Sequence, residues 1–112
     1  MPIANCLLHN VSDELESQLD SLTALWSQES GISTKQMTIN LMTSTRQIGT
    51  AYRVMAFLYL PSLWDSEQVR QLQVGLARAF SRALAMTPDD VHVITSIVDS
   101  GHVVEGGKPQ TW

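Results

Sequence analysis

Pro2 is the group in this chain best suited to chemistry at neutral pH. Removal of the initiator Met, which a small second residue permits, leaves Pro2 as an N-terminal secondary amine, the single group of that kind in a 112-residue protein. A free α-amine ionises near pKa ~8, so desolvation or a nearby cation brings it into the range of a general base at neutrality. The alternative is that Pro2 is simply a tolerated second residue. Arg46 and Arg53 flank a polar connector and are candidates to bind an acid group, each against the alternative of a solvated surface residue. His92 stands in an otherwise apolar run, where it either faces a ligand or bonds a carbonyl at an interface. A glycine-rich phosphate loop and a Gly-x-Ser-x-Gly turn are both missing.

Strands and helices must position these residues. The apolar run 2–8 suits a buried strand, in which Cys6 reads as a small core residue. Ser12 offers an N-cap with Asp13 and Glu14 in the first turn, and Leu15, Leu19, Leu22 and Trp26 recur at helical spacing. One helix is therefore expected over 12–29, with Gly31 as its stop. Met37, Ile39 and Leu41 alternate with polar residues and predict a strand over 36–42, followed by a polar connector or small hairpin over 43–52. Val54–Leu60 reads as a third strand ended by Pro61. Asp65 or Ser66 caps a second helix, with Gln68 placed for a capping box if Asp65 is the cap; Val69, Leu72, Leu76, Phe80, Ala83 and Leu84 form its apolar stripe, and Thr87-Pro88 ends it. Val91–Val98 is a fourth strand, whose alternation puts His92, Ile94 and Ser96 on one face. A glycine-bounded hairpin or turn over 101–107 follows, and Trp112 is expected to dock the tail on a neighbouring subunit.

Strand, helix, strand occurs twice. The chain is thus expected to be one α+β domain over 1–112 with a pseudo-repeat of 2–52 and 53–112: two β-α-β units forming a four-stranded sheet with two helices on one face. The other face keeps many apolar side chains, which favours a symmetric homo-oligomer. Seven basic against eleven acidic residues, net −4 and without a basic cluster, argue against a nucleic-acid partner. The histidines His9, His92 and His102 are scattered and Cys6 is alone, so neither a metal nor an internal disulfide is expected. No stretch approaches the ~20 apolar residues of a membrane span. Nothing resembling a signal peptide opens the chain, so a cytoplasmic protein is expected.

With these elements placed, the chain resembles the tautomerase superfamily, whose members carry an N-terminal catalytic proline on a β-α-β unit. Pro2-Ile3-Ala4 opens the first strand, Ser66-Glu67-Gln68 opens the second helix, and Val91-His92-Val93-Ile94 is followed by Gly101-His102-Val103-Val104-Glu105-Gly106-Gly107. The last segment is similar to the Gly-His-x-x-x-Gly-Gly hairpin of 4-oxalocrotonate tautomerase. The doubled unit resembles the fused members, among them macrophage migration inhibitory factor and malonate semialdehyde decarboxylase. The resemblance implies a homotrimer, no cofactor, and Pro2 as general base or acid moving a proton on a small enol or 2-oxo acid. Val54, which opens the second unit, is not proline, so one such amine per chain is implied.

The resemblance also implies where substrate meets protein. Several members have an arginine just before the Ser-x-Glu-Gln helix start that grips a carboxylate; here Leu63-Trp64-Asp65 stand there, and Trp64 is either a pocket wall or a residue packed on the sheet. The arginine of the family's last strand corresponds to His92, or to Thr38 in the first half. In the migration inhibitory factor group a tyrosine of a neighbouring subunit occupies the position of His92, and a lysine lies near the position of Lys35. The expected substrate-binding set is thus His92, Arg53, Arg46, Thr38 and Trp64. A superfamily decarboxylase or dehalogenase is an alternative. So is a non-catalytic trimeric binding protein, for which the departures at Trp64-Asp65 and His92 are the motive.

Overall fold

The computed structural model describes residues 2–12, 16–33 and 35–112. The expected helix start at Asp13-Glu14 and the processing of Met1 lie outside them. Strands β1 (Ile3–Leu8), β2 (Thr38–Thr43), β3 (Val54–Pro61) and β4 (Val91–Val98) form one sheet in the order β2-β1-β3-β4. Between them run helices α1 (Glu16–Leu19), α2 (Leu22–Ser30) and α3 (Ser66–Leu84), and a separate hairpin pairs β5 (Val103–Glu105) with β6 (Lys108–Gln110). β1 is parallel to β2 and β3 is parallel to β4, as a crossover through a helix requires, while the central pair β1 and β3 is antiparallel.

The pleat of β1 sorts its residues. Pro2, Ala4, Cys6 and Leu8 are buried, and Ile3, Asn5 and Leu7 stand half-buried on the opposite face. β3 repeats the pattern with Val54, Ala56, Leu58 and Leu60 inside. These inner rows share one core with Leu22 and Trp26 of α2 and with Leu72, Leu76 and Phe80 of α3, so both helices cover the same sheet face. Trp26 is wholly buried, and its indole N–H donates to the Leu72 carbonyl at 2.9 Å, which removes the cost of an unpaired polar atom in the core.

Several boundaries follow from local chemistry. Asp65 is the cap of α3: its carboxylate accepts from the Gln68 N–H at 2.8 Å, and the Gln68 side chain accepts from the Asp65 N–H at 3.0 Å. Gly31, at φ 72°, stops α2. The single helix expected over 12–29 is instead broken at 20–21. There the Ser21 hydroxyl donates to the Gln18 carbonyl, and α2 restarts with the Ser21 carbonyl accepting from the Leu25 N–H. Gly106 and Gly107, both at positive φ, make the two-residue turn that β5 and β6 need. The end of β6 delivers Trp112 to its own chain, where its indole N–H donates to Ser62 Oγ and its backbone N–H to Ser100 Oγ, each at 2.9 Å.

Two tests address this core. A Cβ built on Gly75 of α3 would lie 2.7 to 2.8 Å from Ser30 backbone and side-chain atoms of α2. Alanine is the better helix former by about 1 kcal/mol, but overpacking a helix contact costs about 1–3 kcal/mol, so Gly75→Ala is expected to lower the denaturant midpoint; a raised midpoint contradicts the close approach. Burial pushes the Cys6 thiol up to about 12, so it stays protonated at pH 8. The folded protein should resist maleimide there and react fully once denatured; rapid labelling of the native state contradicts the burial.

Candidate active site

The sheet has two ends, and the sequence-derived candidates divide between them. At one end the Pro2 carbonyl accepts from the Thr38 N–H at 3.0 Å, which ties the head of β1 to the first residue of β2. Ile3, next to Pro2 and paired with Thr38, joins Thr38, Pro61, Leu63 and Trp112 around an open cavity of about 480 Å³. Glu105 of the hairpin is the charged side chain in its wall, with Gln36 and Gln110 as polar neighbours; no lysine or arginine lines it among the described residues. Composition alone did not single out Gln36, Glu105 and Gln110 as lining groups, because only the fold of the hairpin over the β1 end brings them there.

Trp64 is at this end too. Its backbone N–H approaches the Pro61 carbonyl at 3.4 Å, and its ring packs against the core. Leu63, not Trp64, contributes to the cavity wall. The Trp64 indole N–H is buried without a partner among the described residues, a desolvated donor that costs about 1–3 kcal/mol.

His92, Arg53 and Arg46 stand at the opposite end. Ile3 pairs with Tyr59 and Met55 pairs with His92. The four steps along β3 from Tyr59 to Met55 separate Ile3 from the level of His92 by roughly 13 Å at about 3.3 Å per residue. His92 is half-buried on the open face, its ring 4.6 Å from that of Tyr52. The Arg53 guanidinium donates to the Asn10 carbonyl at 3.3 Å, and Arg46 is exposed on the connector. No local sequence pattern marks Tyr52 as a partner of His92, since the contact joins the connector to a strand beyond α3.

The remaining cations narrow the choice of an acid-binding group. Arg70 and Arg82 pair with Glu67 and Glu29 at 2.8 and 2.7 Å, Arg78 is exposed on α3, and Lys108 follows the hairpin turn. The Arg70 guanidinium, by hydrogen bond first and charge second, holds the Glu67 carboxyl below the usual range. That leaves Lys35, Arg46 and Arg53 near the ends of the sheet. Among the described residues no three His, Cys, Asp or Glu side chains converge as a metal site, and no helix is long and apolar enough to cross a membrane.

No family model matches the sequence, and no curated protein matches it. Solved structures match its fold. A wild-type fused 4-OT symmetric trimer superposes with a TM-score of 0.77 at 15% identity, covering 96% of this chain and 94% of that one. N1, a member of the cis-3-chloroacrylic acid dehalogenase family, gives 0.71 at 14%, covering 96% and 82%. Malonate semialdehyde decarboxylase gives 0.64 at 14%, covering 93% and 90%. Identities this low speak for architecture alone: the sheet of β1 to β4 with α2 and α3 is the fold that these structures share with this chain.

Proposed function

We propose that this protein is a tautomerase-like isomerase in which the amine of Pro2, freed of Met1, moves a proton on a small enol or 2-oxo acid. The observation that carries this reading is the place of Pro2 in the fold: it precedes β1 directly, and its neighbours Ile3 and Thr38 bound the cavity. The neutral amine takes the enol O–H proton and the resulting ammonium delivers it to the enolate carbon. The C=C electrons form the new C–H bond while C–O becomes C=O, so electrons balance without a cofactor. Polar donors that meet the enolate oxygen lower the barrier most when they are fixed in advance.

The reading includes a homotrimer. One matched structure is a symmetric trimer, and the open sheet face leaves Met42 47%, Ile94 44% and Tyr59 37% exposed. An apolar face of this kind favours association. If the His92 end of one copy meets the Pro2 end of the next, His92, Arg53 and Arg46 join Thr38 about one substrate, with Trp64 backing the Leu63 wall from the core, and Arg53 or Arg46 supplies the fork for its carboxylate. A cytoplasmic setting accords with a lone, buried thiol.

One observation favours a second reading, a non-catalytic binding protein on the same scaffold. Among the described residues the cavity beside Pro2 is lined by Glu105 and by no lysine or arginine, so its wall presents no cation to an anionic ligand. The two readings separate in a keto–enol assay on phenylpyruvate, with a 3-oxo acid and a 3-haloacrylate included because a decarboxylase and a dehalogenase-family member share the fold. The processed protein is expected to turn over, and a form retaining Met1, whose Pro2 nitrogen is a tertiary amide, to lose at least about 100-fold in kcat/KM. Equal rates in both forms contradict the role of Pro2. Ligand binding with turnover in neither form establishes the second reading.

A further inference from the structure

The geometry points to Tyr52 as a positioning residue for His92, itself held by the side chain of Gln47. Tyr52 lies in the connector between β2 and β3 and has no strand partner. Gln47 substitutes for one: its Nε2 donates to the Tyr52 carbonyl at 2.8 Å while its Oε1 accepts from the Tyr52 N–H at 2.9 Å. A single amide thus satisfies both backbone groups of the residue, as a neighbouring strand does. It also closes the 47–52 loop around Gly49, whose φ of +97° suits glycine. With its backbone pinned, Tyr52 lays its ring against His92 at a centroid distance of 4.6 Å and a tilt of 35°, within the range of favourable aromatic pairs.

His92 has little else to orient it. Among the described residues neither of its ring nitrogens makes a hydrogen bond, in contrast to His9, whose Nδ1 meets the Ser44 carbonyl at 3.1 Å. Both nitrogens of His92 are therefore open to a ligand. An imidazole that rotates freely loses that freedom when it meets a substrate, whereas one already set by a neighbouring ring does not. The Gln47 clamp and the Tyr52 ring place that loss in folding instead of binding.

The inference rests on the reading of His92 as a substrate-binding residue, and a two-part experiment tells the two apart. In protein with ¹³C-labelled histidine, the Tyr52 ring 4.6 Å away is expected to displace the His92 Cε1–Hε1 signal by its ring current. Tyr52→Phe is expected to keep the displacement and the wild-type kcat/KM. Tyr52→Leu and Gln47→Ala are expected to lose the displacement and to lower kcat/KM roughly tenfold, the effect of a misplaced group. In a His92→Ala background the same changes should add nothing. A His92 signal unmoved by Tyr52→Leu and Gln47→Ala overturns the inference, as does a lost displacement with unchanged kcat/KM in an active enzyme. If no form turns over substrate, the reading of the site fails, and the His92 signal still decides whether Tyr52 holds the ring.

Discussion

β1 is hydrogen-bonded along both edges, to β2 and to β3, and every other feature of the fold depends on that pairing. A slip of one residue would expose Ala4, Cys6 and Leu8 and drive Asn5 beneath the helices. An amide buried without partners costs more than any hydrogen bond regained. In the observed register Asn5 stays on the open face, where its Oδ1 accepts from Asn40 Nδ2 at 2.8 Å. The same register fixes Pro2 one residue before the strand, with its side chain buried and its carbonyl bound by Thr38.

The antiparallel contact of β1 with β3 has a further consequence. It turns the second β-α-β unit end for end against the first, so the head of β1 lies beside the end of β3 while the start of β4 lies at the far end. Pro2 and His92 therefore sit apart within one chain. A site using both needs two copies, which matches an open sheet face bearing Phe57, Tyr59 and Ile94. Coulombic pairs contribute little to holding the units together, since Arg82 reaches Glu29 near the surface. The helix contact at Gly75 and Ser30 and the buried Trp26 bond to Leu72 carry the association of α2 with α3.

Much of this was legible in the chain because it rests on short-range pattern. The apolar runs 54–60 and 91–98 located β3 and β4 to within a residue, the Asp65-Gln68 spacing identified a capping box, and Gly31 marked a helix end. The break at Ser21 was not legible, because its hydroxyl competes for a helix carbonyl within an unbroken apolar stripe. The bonds of Trp112 within its own chain were not legible either, because its two partners, Ser62 and Ser100, are brought to it only by the ends of β3 and β4. For the site, residue type picked out Pro2 and His92, but which candidates share an end of the sheet is a property of topology. Tyr52, Glu105 and Gln36 carry no signal apart from that topology.

Titration of the Pro2 amine tests the functional reading most directly. In ¹⁵N-proline-labelled, processed protein, one nitrogen signal should titrate near neutrality, at about pH 7, as a general base at that pH requires, and shift when phenylpyruvate is added. A Pro2 nitrogen that does not titrate between about pH 5 and 10, or that titrates without responding to an enol or 2-oxo acid, contradicts its assignment as the proton-transferring group.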